Sequence, residues 1–291
     1  MKKETQALLI LILASFLWGT TFWFIKVALS TTSALNIVSL RFLLAALSLF
    51  PFVVYSRKYL KTCLLPGFFL SIPCWLGFSS QAVGLYFIPA THSGFLTSMY
   101  LLFVPLFLFI FKKELLTLPQ ILALFTSLCG IWILTGGIQG VNQGDALTLF
   151  CAATFGLHIL LSDRYSKNGL HIIVLNFIQF LFVGLFNLIT SFLLKEPLHP
   201  PPLNTWLILI YLGVVGTSLC LFLQLSAQRF LSPMKTTFTL MVEPISAALF
   251  AWGIGHESFN LKVLLGGCLI LFSLFISEWK AKVFLVRKTF Q

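Results

Sequence analysis

Acidic residues are scarce in this chain: 8 Asp and Glu stand against 19 Lys and Arg, and charged residues fill 9% of 291 positions. A soluble domain draws about a quarter of its residues from these four types. A water-facing globular surface is therefore excluded over most of the chain, and no polar stretch is long enough to hold a separate soluble domain. The six cysteines (63, 74, 129, 151, 220, 268) form no C-x-x-C pair and fall mostly inside apolar runs. That excludes a disulfide framework and leaves small buried hydrophobes. Also missing are a G-x-x-x-x-G-K-[ST] phosphate loop, a His/Cys/Asp cluster with metal spacing and a local Ser/His/Asp motif. No cofactor or metal is expected, nor ATP-driven pumping by this chain alone, and the reading is not that of an enzyme.

What fills the space is apolar: 58% hydrophobic residues, 32 of them Phe, with a mean hydropathy of +0.99. A hydrocarbon core about 30 Å thick needs roughly 20 apolar residues per helical crossing. About ten such runs occur, at 7–29, 34–55, 64–86, 91–111, 118–137, 145–165, 171–194, 204–228, 234–254 and 261–279. The first is read as a retained span, because it contains Trp18 and Trp23 and lacks a small-x-small cleavage site.

Positive charge tests that count. With the N-terminus inside, Lys2-Lys3 and the basic residues of 57–61, 112–113, 164–167, 229–235 and 280–288 all fall inside. Only Lys195 and Lys262 fall outside, while Lys26 and Arg41 lie within spans. Basic residues crowd cytoplasmic connections, so both termini are expected in the cytoplasm and the net charge of +11 needs no nucleic-acid partner.

The chain also repeats. Residues 81–133 slide onto 224–276 without a gap, matching Gln81 with Gln224, Phe95 with Phe238, Glu114 with Glu257 and Leu118 with Leu261. Nearer the start of each half, Phe155-Gly156 falls on Trp18-Gly19 and Gln179-Phe180 on Arg41-Phe42. Five spans per half is an odd number, so the second copy enters the membrane inverted, as in many secondary transporters. The expected fold is all-α integral membrane, ten transmembrane helices as two inverted five-helix repeats, 1–137 and 144–280, with a basic cytoplasmic tail at 281–291.

Glu243 is the one acid in the middle of the apolar run Thr236–Ile254, and Pro244 follows it. An ionisable group at bilayer depth costs about 3 kcal/mol or more unless it is paired or wetted. Two readings stay open: a proton or cation acceptor, or a structural acid beside the donor gap that proline leaves. His158, opposite Thr21 in the repeat, is a second candidate for proton coupling, against the commoner case of a buried neutral ring. Gln81 and Gln224 hold equivalent positions and are candidates to flank a central cavity. Gln179 and Asn187 read as helix glue, worth about 0.6 kcal/mol each. Trp18, Trp23, Trp75 and Tyr100 are candidates to stack on a flat solute, with Tyr100 favoured as the repeat partner of Glu243. The candidate solute site is Trp18, Thr21, Gln81, Tyr100, His158, Gln224 and Glu243, with Glu243 and His158 as coupling groups. Arg41 is expected to snorkel to the outer interface, Lys26 to anchor there, and His92 to be wet.

The chain resembles the EamA-type members of the drug/metabolite transporter superfamily. The resemblance rests on Phe16-Leu17-Trp18-Gly19, Leu40-Arg41-Phe42, Gly144-Asp145-Ala146-Leu147, Glu243-Pro244, Gly255-His256-Glu257 and Leu265-Gly266-Gly267. It implies a ten-helix fold of two inverted repeats that moves small organic metabolites, such as amino acid-, nucleoside- or drug-like solutes, across a cytoplasmic inner membrane as a monomer or homodimer. The family's first half usually carries Pro where Leu101 stands, with Pro105 four residues on, so the fourth helix is expected to bend one turn away. The competing readings are a lipid-carrier flippase and a membrane-embedded lipid-modifying enzyme.

Overall fold

The computed structural model describes residues 2–113, 115, 117–137, 140–197 and 200–278. The expected tail at 281–291 and Glu114 lie outside the described residues. Among those described, every regular element is helical: α1 (Lys2–Ala28), α2 (Ala34–Tyr55), α3 (Leu60–Gly84), α4 (Ala90–Thr97), α5 (Tyr100–Lys112), α6 (Leu118–Thr135), α7 (Gln143–Lys167), α8 (Ile172–Leu193), α9 (Leu203–Ile210), α10 (Cys220–Gln228), α11 (Pro233–Thr239), α12 (Val242–Gly253) and α13 (Leu261–Glu278). A π-helical segment, Tyr211–Leu219, joins α9 to α10 without a break. The helices form ten rods, because α4 runs into α5, α9 through the π segment into α10, and α11 into α12.

Eight rods are long and apolar enough to cross a membrane on their own, from Lys3–Ala28 to Leu203–Gln228. The last two depart from the simple expectation. In α13 the apolar stretch is shorter, Leu261–Ser273. The ninth rod is broken at Leu240-Met241, and only α11 and α12 together, at a rise of 1.5 Å per residue, reach roughly 30 Å. Pro244 supplies a local cause, since it cannot donate to the preceding turn. There Met241 N bonds Phe238 O at 3.2 Å and Glu243 N bonds Leu240 O at 3.0 Å, both across three residues.

The first half breaks at the same place without a proline. Leu101 N bonds Ser98 O at 3.1 Å and Leu102 N bonds Met99 O at 2.9 Å. Pro105 lies inside α5, so the expected one-turn displacement of the bend does not occur. A tertiary tie holds the break instead: the Tyr100 hydroxyl lies 3.2 Å from Leu240 O and 3.1 Å from Glu243 Oε2. Sliding the chain so that Ala90 falls on Pro233 also puts Leu118 on Leu261 and Thr135 on Glu278. The starts of α4 and α6 thus coincide with the starts of α11 and α13.

Packing follows the same symmetry. Helix α6 lies along α13 and α2 along α8, each element against its own counterpart. The remaining contacts come in exchanged pairs, α1 on α12 with α7 on α5, and α3 on α7 with α10 on α1. That pattern is a two-fold axis between the halves. Because each half crosses five times, the axis lies in the membrane plane. Small residues set the close approaches: a Cβ on Gly266 would stand 2.6 Å from Gly130 O, which is how α6 and α13 pack backbone to backbone. Phe22, Phe42 and Phe180 are fully buried, while Phe125, Phe192 and Leu249 are exposed around the outside. Lipid, not water, suits such a surface.

Candidate functional site

One cavity lies on the two-fold axis. Its lining is Trp18, Thr21, Phe78, Gln81, Tyr100, Phe155, His158, Ile159, Leu221, Gln224, Leu240 and Glu243. All seven residues singled out in the sequence are among them. Ten of the twelve form five repeat-related pairs: Trp18 with Phe155, Thr21 with His158, Phe78 with Leu221, Gln81 with Gln224, and Tyr100 with Glu243. The cavity is therefore one helical face used twice. Water-sized centres can occupy about 40 Å³ of it. One water needs roughly 10–15 Å³ on that measure, so the space suits a few waters and is narrower than a metabolite.

The polar lining groups other than Gln224 are each held by a defined partner. Trp18 Nε1 donates to Gly216 O at 2.8 Å, and Thr21 Oγ1 to Trp18 O at 2.7 Å. Gln81 Nε2 donates to Thr97 Oγ1 at 3.2 Å, pinning α3 to α4. His158 Nε2 is 2.9 Å from Gln179 Oε1, and its Nδ1 is 3.5 Å from Ser162 Oγ. The Tyr100 hydroxyl donates to Glu243 Oε2 across the axis. Glu243, at 7% exposed, is thus joined to its own repeat partner. The other aromatic candidates fall elsewhere. Trp23 packs on Phe24, and Trp75 packs on Phe186 with its indole nitrogen buried and unpartnered. Asn187 is helix glue as expected, accepting from Ser79 Oγ at 2.7 Å and donating to Val183 O at 2.9 Å.

Arg41, His92 and Lys26 differ from expectation. Arg41 does not snorkel and is 0% exposed. Its Nε donates to Thr217 Oγ1 at 2.9 Å and its Nη2 to Gly216 O at 3.2 Å. The wide turns of the π segment bring Gly216 and Thr217 to it, with Thr217 Oγ1 itself bonded five residues back to Leu212 O at 2.7 Å. His92 is not wet: at 8% exposed, its Nε2 lies 2.7 Å from Asp145 Oδ1, a close contact without hydrogen-bond alignment. Lys26 turns inward to Leu85 O and Ile88 O at the end of α3.

His92 and Asp145 belong to a seal on the face opposite the N-terminus. There Glu257, between α12 and α13, caps the start of α4. Its Oε1 accepts from Ala90 N at 2.7 Å, and its Oε2 accepts from Thr91 N at 3.2 Å and Thr91 Oγ1 at 2.6 Å. The N-terminal face carries an ion pair, Lys235 to Glu4 at 2.5 Å. His92 and Lys235 share one register position as the third residues of α4 and α11, but in the register that sets Phe155 on Trp18 it is Leu8, not Glu4, that falls on Asp145, so the two contacts share one equivalent member. Their surroundings differ: the side chains of the first pair are 10% and 1% exposed, those of the second 57% and 42%. Sequence reading missed this relation, although the repeat register already places His92 on Lys235.

The sequence matches the EamA-like transporter family over residues 5–136 and again over 142–279. An uncharacterized transporter of Archaeoglobus fulgidus is 33% identical over 166 residues, 57% of this chain and 51% of that protein. The S-adenosylmethionine/S-adenosylhomocysteine transporter of Chlamydia muridarum is 22% identical over 88% of this chain and 86% of its own length. A crystal structure shares the fold with a TM-score of 0.70 at 16% identity, covering 96% of this chain and 99% of that one.

Proposed function

The chain belongs to the EamA-like transporter family, and from there we propose that it is a secondary transporter working by alternating access through the cavity on the two-fold axis. It is a multi-pass membrane protein for small-molecule transport. The finer reading is that it carries small organic metabolites, amino acid-, nucleoside- or drug-like, across the cytoplasmic membrane with both termini inside. The observation that carries this reading is the cavity itself, whose lining is made largely of repeat-related pairs from the two halves. A two-fold scaffold has two equivalent ways to close, and here the His92–Asp145 contact on the face opposite the N-terminus is buried. With the Lys- and Arg-rich face inside, the outer face is the sealed one. Opening His92–Asp145 while closing the N-terminal face turns the cavity to the other side.

Glu243 and His158 are the groups that couple this motion to a proton gradient. Their bond partners, Tyr100 and Gln179, hold them at the cavity wall. The flippase reading gains little support. The apolar groove between α2, α8 and the π segment, at Ser48, Phe52, Ile173 and Val214, shares no lining residue with the central cavity, so it offers no lateral path for a lipid head group. Amino acids, nucleosides and sugar derivatives should be screened for stabilisation of the purified protein, and hits assayed by counterflow in proteoliposomes. A stabilising solute that exchanges across the membrane supports the reading. A stabilising solute that binds without exchange refutes transport through this cavity.

A further inference from the structure

We propose that Arg41 is the docking group for an anionic oxygen of the transported solute, a carboxylate or a phosphate. This rests on the transport reading for the word "transported" but not for the binding. Arg41 is fully buried, and among the described residues it has no acidic ion-pair partner. Two of its three nitrogens are bonded, to Thr217 and Gly216, and Nη1 has no partner. The guanidinium stands over the Phe78 ring, 4.8 Å from its centroid, and 5.7 Å from that of Phe42. Aromatic faces offset only part of the cost of burying a charge.

The position of the free nitrogen gives it a use. Phe78 also lines the cavity. Trp18, also in the lining, shares the Gly216 carbonyl with Arg41. Arg41 therefore sits one ring behind the cavity wall, and a rotation of Phe78 as the cavity widens brings Nη1 to a solute. A guanidinium fits the fork of a carboxylate or phosphate.

The repeat supplies an internal control for the structural alternative. The counterpart of Arg41 is Gln179, equally buried, which stands behind the cavity wall on the other half and bonds His158. The scaffold thus accepts a neutral amide at this place. A cation at position 41 is not demanded by the fold.

The test uses the purified full chain, with wild type, Arg41→Gln and Arg41→Lys compared by thermal unfolding. Each is titrated with acetate and with inorganic phosphate against chloride at constant ionic strength. The proposal expects a saturable rise in wild-type Tm with one of the two anions, which also identifies the carboxylate or phosphate class. Arg41→Gln should match or exceed wild-type Tm without anion and show no anion response. Arg41→Lys should respond with roughly hundredfold weaker affinity, the loss expected when a buried charged contact is broken. No saturable response in wild type, or an equal response in Arg41→Gln, overturns the proposal. So does an Arg41→Gln variant that fails to fold while Arg41→Lys is stable but silent to both anions, which makes the charge a structural tie. Failure of transport alone would appear in the exchange assay and leave these titrations unchanged.

Discussion

Tyr100 and Glu243 occupy one place in two copies of the same broken helix, yet one is a phenol and the other an acid. The same contrast recurs at Arg41 and Gln179. Scaffold positions agree across the repeat: the helix breaks, the helix starts, the Gln81 and Gln224 pair. Charge does not. The two halves teach that the symmetric part of this molecule is its mechanics and the asymmetric part is its chemistry. A solute or proton meets different groups on the two sides of the axis, while the helices that move are alike.

The largest effect expected from breaking this contrast is at Glu243. Glu243→Gln keeps a hydrogen-bonding partner for Tyr100 and keeps the fold, but should abolish flux driven by an imposed pH step in proteoliposomes. Undiminished pH-driven flux would make Glu243 a helix-packing residue only.

Next comes the crossing of each half's first helix with the broken helix of the other half. A Cβ on Gly19 would meet Glu243 O at 2.5 Å and Ala247 N at 2.7 Å, whereas at Gly156, its counterpart, the nearest atoms are Phe103 Cβ at 3.0 Å and Tyr100 O at 3.4 Å. Backbone cannot yield as a side chain can. Gly19→Ala should cost about 3 kcal/mol, the upper end for overpacking, and Gly156→Ala about 1 kcal/mol or less. Unfolding midpoints of the two variants measure the difference, and equal losses would mean that the crossings are equally tight.

The contacts at the two faces give a smaller contrast. Asp145→Asn disturbs the buried contact with His92 and the bond that Asp145 Oδ2 accepts from Asn142 N, and should cost about 2 kcal/mol. Glu4→Gln, at an exposed pair, should cost about 0.5 kcal/mol. Chemical denaturation of both checks this, and a larger loss from Glu4→Gln would reverse the assignment of the sealed face.

The smallest effect concerns His171, at the start of α8 on the N-terminal face. Burial and the charges of Arg229 and Lys58 push its pKa below the ordinary histidine value. The unfolded chain then binds the proton more readily than the folded one, so stability is lost as pH falls through the unfolded value and is unaffected above it. Its exposed edge keeps the effect small. Stability of His171→Gln should depend less on pH between 7 and 5 than wild type, and an unchanged slope would rule His171 out.

Much of the site was legible because a polar group at membrane depth must face protein or water. That rule picks out Gln81, His158, Gln224 and Glu243 without any knowledge of packing. The broken fourth helix was not legible, since Leu101 carries no local signal and the tie from Tyr100 to Leu240 spans 140 residues. Nor was the burial of Arg41. Position along a helix gives depth but not the partner, and the partner here is a carbonyl in a π segment 175 residues away. His92 looked wet because its acid, Asp145, opens a helix in the other half.

Alternating closure is tested most directly by locking one face and asking from which side the cavity can be reached. With the native cysteines replaced, a single cysteine at Thr21 would report on the cavity. The lock would be a short thiol cross-link between His92→Cys and Asp145→Cys on the outer face. In oriented vesicles, a membrane-impermeant thiol reagent should label Thr21→Cys only from the cytoplasmic side when the lock is closed, and from the external side as well in the unlocked protein. Labelling from the external side under the closed lock would contradict the account.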